Sequence, residues 1–332
     1  MTEAGGAPMR AMTGLTQLVD VHAHFITEDY TAAAKDFGIE APDGLPAWPH
    51  WSAREHLEVM DRTGIARAIL SVSSPGVNFG DDAVAVQIAR DVNAAAAEIS
   101  AANPGRLSFF GALPLPDVGA SLDEIRRCFD ELGADGIALL SNVHGVYLGD
   151  ERYKSVWRAL DDRGAVVFIH PTAPPHGESV SLGRPYSVVE FIFDEARTVI
   201  DMIFAGVLLD YPRIKFVITH SGGALPVIAD RASARYTPPK DSGVTLRDQL
   251  GQLWFDCAGT PLPTALPTLA TVVGEQQLVF GTDYCFVRPD GVAAHVQRII
   301  ADDHADWPAI MDRNAIRLLA DTAHPVGEYP GS

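Results

Sequence analysis

Short apolar runs alternate with longer amphipathic stretches along almost the whole chain. The short runs, such as AVVFI and IKFVI, are rich in β-branched residues and bounded by turn residues, which predicts buried strands. The longer stretches repeat their apolar residues at helical spacing. Strands are predicted at 17–22, 66–72, 107–113, 136–140, 165–170, 214–219, 252–257 and 277–281. Helices are predicted at 52–63, 82–103, 122–132, 153–163, 187–209, 224–234, 263–273, 291–301 and 307–319.

The regular alternation of eight strands with helices predicts an α/β fold, a (β/α)8 TIM barrel that forms one domain over residues 1–332. A doubly wound open sheet is the alternative that the same alternation permits. Two connections are long, 25–51 after the first strand and 171–186 after the fifth. Both follow strand C-termini, which is the barrel face that carries active sites, so we expect the functional loops there.

Composition excludes several classes of protein. The 332 residues are 47% hydrophobic and 20% charged, as in ordinary globular proteins. With 25 Lys+Arg against 43 Asp+Glu, the net charge of −18 argues against a nucleic-acid binder or a basic membrane-surface protein. The three cysteines are widely spaced, and neither a signal peptide nor an apolar stretch of membrane-spanning length is apparent. We therefore expect a soluble cytoplasmic protein.

Five metal-competent side chains fall at the ends of predicted strands. His22 and His24 point to the same side of the first strand because side chains alternate along it. His170 ends the fifth strand, His220 follows the sixth and Asp283 follows the eighth. An isolated histidine is usually a surface or core residue, so the indication lies in the agreement of five independent positions. In a barrel they would meet at one rim, where imidazoles and a carboxylate can hold a divalent metal with one coordination position open.

Two further features at this rim have simpler explanations. The glycines after His220 in HSGG would let a ligand approach the backbone, or would simply form a tight turn between strand and helix. Ser221 lacks the Gly-x-Ser-x-Gly elbow of a nucleophilic serine, and Cys285 is expected to be a buried, inert thiol rather than a nucleophile.

At these residues the sequence resembles the amidohydrolase superfamily, in particular its amidohydrolase-2 branch, which contains amino-carboxymuconate-semialdehyde decarboxylase and the salicylate-type decarboxylases. The resemblance rests on VDVHAHF, FIHP, THSGGALP with Asp230-Arg231 behind it, FGTDYCF and the closing RNAIRLL. Further stretches, among them PDGLPAWPHWS, GALPLPD and RPYSVVEFIFD, are most similar to decarboxylases of 6-methylsalicylate.

The resemblance implies one divalent metal ion, zinc or alternatively manganese, and no organic cofactor. It implies the metal ligands His22, His24, His170 and Asp283. His220 would be a catalytic proton carrier beside the metal. Arg231 matches in spacing an arginine that reaches the neighbouring subunit's site in the muconate-type enzyme, so a homodimer or a higher homo-oligomer is expected.

The activity implied is nonoxidative decarboxylation of an ortho-hydroxylated aromatic acid, 6-methylsalicylate or a related salicylate, to a phenol and carbon dioxide. Asp283, assisted by His220, would deliver a proton to the ring carbon that bears the carboxylate. A small aromatic acid also needs aromatic and basic residues around it. The candidates on the rim loops are Phe25, Arg184, Tyr284 and Phe286, and Arg231 is the candidate that the resemblance adds from the neighbouring subunit.

Two other functions stay open at this stage. The γ-resorcylate decarboxylases replace the first histidine of the pair with glutamate, whereas His22 is retained here, as it is in hydrolases of the superfamily. A metal-dependent hydrolase of a lactone, ester or amide is therefore the alternative. A silent metal-binding or ligand-sensing barrel is a third hypothesis, which the retention of Asp283 and His220 disfavours.

Overall fold

A computed structural model describes residues 18–239 and 242–324. Its centre is a parallel sheet of seven strands in the order β1-β2-β3-β4-β7-β8-β9. A short antiparallel hairpin, β5 with β6, follows β4. In chain order the strands are β1 (Leu18–His24), β2 (Ile65–Ser71), β3 (Leu107–Ala112), β4 (Gly136–Leu140), β5 (Asn142–Val143), β6 (Val146–Tyr147), β7 (Val166–His170), β8 (Lys215–Ile218) and β9 (Trp254–Phe255).

The segment after β9 closes the sheet into a barrel. Leu278 forms a parallel bridge with Phe255 of β9, and Phe280 forms one with Asp20 of β1. The backbone N–H of Val21 donates to the Phe280 carbonyl at 3.0 Å. This segment takes the place of the eighth strand predicted at 277–281, although it is held by isolated bridges rather than a continuous ladder. The (β/α)8 barrel is confirmed, and the open-sheet alternative is wrong.

Helices cover the outside of the barrel. They are α1 (Glu28–Asp36), α2 (Ala53–Thr63), α3 (Asp82–Ala102), α4 (Val118–Asp130), α5 (Lys154–Arg163), α6 (Gly177–Val180), α7 (Glu190–Phe204), α8 (Val207–Asp210), α9 (Leu225–Ser233), α10 (Leu246–Leu250), α11 (Ala265–Val273), α12 (Pro289–Ala301) and α13 (Trp307–Leu318). Within the described residues, no helix is both long enough and apolar enough to cross a membrane.

Several elements differ from the sequence-based expectation. The helix predicted at 187–209 is divided into α7 and α8, because Gly206 adopts a left-handed φ of +82° that ends the first helix. The strand predicted at 252–257 is reduced to β9, since residues 252–253 complete the turn that follows α10. The first strand extends to His24 rather than ending at His22, and its predicted first residue, Gln17, lies outside the described residues.

The barrel interior is a packed apolar core rather than a channel. Phe110 and Phe168 stack inside it with ring centroids 5.6 Å apart. The ring of His22 lies edge-on to Phe168, with the centroids separated by 4.9 Å. The apolar core therefore forms the floor on which the histidines at the C-terminal rim rest.

Candidate active site

The structure brings the five strand-end side chains together at the C-terminal rim of the barrel. His22 Nε2 lies 3.1 Å from His24 Nε2. Asp283 Oδ1 lies 3.2 Å from His24 Nε2 and 3.6 Å from His22 Nε2. The ring centroid of His170 is 4.9 Å from that of His24. His220 completes the group, with its Nε2 3.8 Å from Asp283 Oδ2.

The cluster is tight enough for a single ion. One candidate ligand atom from each of His22, His170, His220 and Asp283 lies within 4.8 Å of the others. His24 adjoins this group through its short contacts with His22 and Asp283. Both strand-end histidines of β1 are fully buried, whereas the side chains of Asp283 and His220 are 19% and 11% exposed. The open side of the cluster is thus formed by the carboxylate and by His220.

Hydrogen bonds behind the cluster orient three imidazoles toward one point. The Nδ1 atoms of His22, His24 and His170 lie 2.8 Å from Asp256 Oδ2, 3.2 Å from the Ser71 carbonyl and 2.7 Å from the Pro171 carbonyl. Carbonyl and carboxylate oxygens only accept, so each Nδ1 carries a proton, and in the neutral form of each ring Nε2 then presents a lone pair. This is how proteins fix histidines that ligate metals.

The donor set fits a divalent cation. Without one, the lone pairs of His22 Nε2 and His24 Nε2 would face each other at 3.1 Å and repel. Imidazole nitrogens together with a carboxylate suit zinc and also manganese. Burial lowers the pKa of His22 and of His170 well below the ordinary histidine value, so both are neutral, as a metal requires.

Asp283 and His220 carry opposite charges. Burial alone would raise the pKa of Asp283, but His220 and His24 outweigh it and hold this pKa well below the usual range. Burial likewise lowers the pKa of His220, but the carboxylates of Asp283 and Glu195 outweigh it and hold the pKa well above the ordinary value. The site therefore combines an ionised carboxylate with a protonated imidazole at its open side.

Asp256 belongs to the candidate site, and the sequence analysis missed it. It is fully buried beyond β9, and it accepts from His22 Nδ1 at 2.8 Å, from the backbone N–H of His220 at 3.0 Å and from that of Ala258 at 2.9 Å. Burial raises its pKa to about 6. The signal was an acidic residue directly after a strand, in WFDC. Asp256 thus links two of the histidines to the barrel wall.

We expect Asp256→Asn to weaken metal binding about 10- to 100-fold, because His22 loses the charged acceptor that orients its ring. Competition with a chelator of known affinity would measure this. Asp306→Asn is the matched control, since Asp306 caps α13 by accepting from the Ala309 N–H and asparagine caps equally well. Equal metal affinity in the two variants would contradict the role given to Asp256.

The five predicted substrate-binding residues are spread over different surroundings. Phe286 is half-buried beside the cluster, with its ring centroid 5.4 Å from that of His24. Phe25 is buried and lies edge-on to Trp51 at 6.0 Å. The ring of Tyr284 packs on His56, with the centroids 4.6 Å apart. The remaining two, Arg184 and Arg231, are exposed at the surface.

A cavity of about 590 Å³ opens at the same rim, over the ends of β2, β3, β4 and β7. Its walls are mainly apolar and include Val72, Leu113 and Leu140. Val72 follows Ser71, the partner of His24, and Thr172 lies just beyond His170. The residues that line the cavity include these neighbours and not the five cluster side chains themselves. A mainly apolar cavity with a few polar groups is typical of a small-molecule site.

The fold and the cluster together define the class: a TIM-barrel protein with a candidate divalent-metal site of histidines and one aspartate at its C-terminal rim. The sequence profile of the amidohydrolase family matches residues 19–320, and the chain belongs to this family. The family resemblance noted in the sequence is thus confirmed.

Individual relatives agree with this assignment. The chain is 32% identical over 320 residues to the 6-methylsalicylic acid decarboxylase of Aspergillus aculeatus. This alignment covers 91% of this chain and 95% of that protein. A crystal structure of an amidohydrolase II superposes with a TM-score of 0.87 at 29% identity, over 91% of this chain and 99% of the other. A dihydroxybenzoic acid decarboxylase from Polaromonas sp., with bound manganese and 2-nitroresorcinol, shares the fold at 24% identity and a TM-score of 0.80, over 92% and 97% of the two chains.

Proposed function

We propose that this protein is a metal-dependent, nonoxidative decarboxylase of an ortho-hydroxylated aromatic acid, 6-methylsalicylate or a related salicylate, which it converts to a phenol and carbon dioxide. The observation that carries the proposal is the rim cluster, in which imidazoles and the Asp283 carboxylate converge on one point close to an apolar cavity. The near full-length match to a 6-methylsalicylic acid decarboxylase supports the choice of substrate class.

The metal would be held by His22, His24, His170 and Asp283, with zinc favoured and manganese as the alternative. When bound, a divalent ion would supply Lewis-acid stabilisation of the negative charge that develops on the substrate oxygens. The chemistry needs no organic cofactor. Nor does the sequence contain a nicotinamide, flavin or pyridoxal signature that would suggest one.

His220 and Asp283 are suited to protonate the ring. The proton held by His220 lies beside Asp283, since Nε2 is 3.8 Å from Oδ2. Asp283, assisted by His220, delivers this proton to the ring carbon that bears the carboxylate, and a C–H bond forms. The C–C bond to the carboxylate then breaks, its electron pair returns to the ring and carbon dioxide leaves. Recovery of aromaticity favours this departure.

The apolar cavity is the place where we seat the aromatic ring. Val72, Leu113 and Leu140 would contact its faces and substituents. Phe286 lies outside the cavity wall, beside His24, where it would border the reacting end of the substrate. Burying the ring also excludes water from the reacting carbon, which strengthens the electrostatic interactions at the cluster. The ligand is thus a small aromatic acid.

We also propose a homodimer in which Arg231 binds the substrate carboxylate in the neighbouring subunit. Arg231 is exposed on α9, the helix that follows the His220 turn, so its guanidinium is available to a second copy. Arg231→Ala should raise KM about 10-fold or more, because a charge-assisted contact to a carboxylate is lost. Arg235→Ala, an exposed arginine nearby, is the control. Light scattering would measure the oligomeric state and kinetics the activity. A strictly monomeric enzyme with full activity would contradict this arrangement.

For localisation we propose the cytoplasm. Cys128, Cys257 and Cys285 are all free and buried. Unpaired cysteines are usual in a reducing compartment, whereas small secreted proteins tend to pair them.

Hydrolysis is the second candidate function, because His22 is retained and Asp283 is ionised, as a base for an activated water would be. Product analysis separates the two reactions. Zinc- and manganese-loaded enzyme should convert 6-methylsalicylate to equal amounts of 3-methylphenol and carbon dioxide. If no salicylate gives a phenol while metal is bound, and a lactone or amide is cleaved instead, the protein is a hydrolase.

A further inference from the structure

Glu195 on α7 is a buried carboxylate directed at the back of His220. It is fully buried, and its Oε1 accepts a hydrogen bond from the Thr219 hydroxyl. Its other oxygen, Oε2, lies 3.7 Å from His220 Nδ1. Within residues 18–239 and 242–324, neither of these two atoms has a hydrogen-bond partner. Glu195 Oε2 and His220 Nδ1 are therefore placed to interact with each other.

The chain leaves room for this carboxylate. At Gly223, in the turn after His220, an added Cβ would lie 2.9 Å from Glu195 Oε2 and would also collide with the Ile192 carbonyl. Gly223 has a φ of +55°, which side chains rarely adopt. A glycine here therefore allows α7 to bring Glu195 close to the His220 turn.

The chemistry of the two groups fixes where the imidazole proton sits. Burial raises the pKa of Glu195 to about 7, against the lowering effect of His220 and Thr219. In its ionised form this carboxylate only accepts hydrogen bonds, so His220 then presents Nδ1–H to Glu195. Nε2, the other ring nitrogen, is then the atom that faces Asp283, 3.8 Å away. Glu195 has no ion-pair partner other than His220 among the described residues. A buried carboxylate without a cation is costly, which favours this pairing.

We propose that Glu195 is a positioning residue that holds His220 with Nδ1 protonated and Nε2 directed at Asp283. Its kinetic consequence rests on the proposed decarboxylation, whereas the protonation pattern of His220 does not. Among the described residues, Glu195 does not line the cavity and makes no hydrogen bond or ion pair with the proposed metal ligands, so we expect it to act on the site through His220.

We expect Glu195→Gln to lower kcat about 100-fold, because an incorrectly protonated imidazole loses its contribution as a general acid. KM and metal content should stay within about twofold, which separates positioning from damage to the cavity or the metal site. Asp201→Asn on the same helix is the control. Asp201 accepts from the backbone N–H of Gly149 at 2.9 Å, a bond that asparagine can keep. If kcat is the same for both variants, the role of Glu195 is refuted.

A measurement on the unaltered protein decides the protonation pattern independently of activity. Histidine nitrogens of the zinc-loaded, 15N-labelled enzyme report which ring nitrogen bears a proton, and His220→Asn identifies the signals of His220. We expect Nδ1 of His220 to be protonated. An unprotonated Nδ1 would overturn the inference. Because this measurement uses the unaltered protein, it holds even if Glu195→Gln does not fold. Absence of decarboxylation with the expected Nδ1–H would refute the proposed function and leave this inference standing.

Discussion

Replacing Asp283 with asparagine should lower turnover by about 10⁴-fold or more while leaving the barrel folded. Asp283 lies between His24 Nε2 at 3.2 Å and His220 Nε2 at 3.8 Å, at the open side of the cluster. Asparagine has nearly the same shape, but it carries no charge and cannot pass on a proton. The substitution therefore removes both the anionic ligand and the proton relay.

Phenol release under saturating substrate would measure this effect, together with thermal melting and metal analysis of the purified variant. Asp290→Asn is a matched control, because Asp290 lies on the same stretch of chain in the exposed first turn of α12. It should retain normal turnover. An Asp283→Asn enzyme that turns over at a near-normal rate would show that the proton comes from another group.

Removing the metal should abolish measurable turnover, and adding zinc or manganese should restore it. In their neutral form the three imidazoles direct their Nε2 lone pairs inward, and His22 Nε2 lies only 3.1 Å from His24 Nε2. A bound ion would be shared by these nitrogens. An ion that binds only the folded protein also raises the melting temperature. Chelation should therefore lower the melting temperature as well as the activity.

The matched control for chelation is the same chelator saturated with metal, which should leave both properties unchanged. Activity, melting temperature and metal content would be followed through removal and readdition. Full activity of a preparation in which elemental analysis detects no metal would contradict the assignment of the cluster as a metal site.

The barrel and the convergence at its rim follow from local pattern. The apolar runs specify buried parallel strands, and alternation along β1 sends His22 and His24 to the same side. The helix α1 inside the first long connection was not predicted, although Thr27 caps it by accepting from the Tyr30 N–H. One polar cap before a short helix of low hydropathy is a weak signal beside the strand and helix periods.

The residues behind the histidines could not be predicted because long-range packing places them. Asp256 follows a strand of only two residues, and its partner His22 lies 234 residues earlier in the chain. Glu195 faces inward because of the way α7 packs on the His220 turn, which spacing alone does not show. The same limit applies to Tyr284, which follows Asp283 directly and packs on His56 instead of the cluster.

The most direct test of decarboxylation follows both the carbon that leaves and the proton that arrives. Metal-loaded enzyme would be incubated in D2O with 6-methylsalicylate labelled with 13C at the carboxylate, and the products followed by NMR. We expect one labelled carbon dioxide for each 3-methylphenol, with deuterium at C2, the ring carbon that carried the carboxylate. Labelled substrate that persists unchanged while metal is bound, or a product that retains the label, would contradict the account.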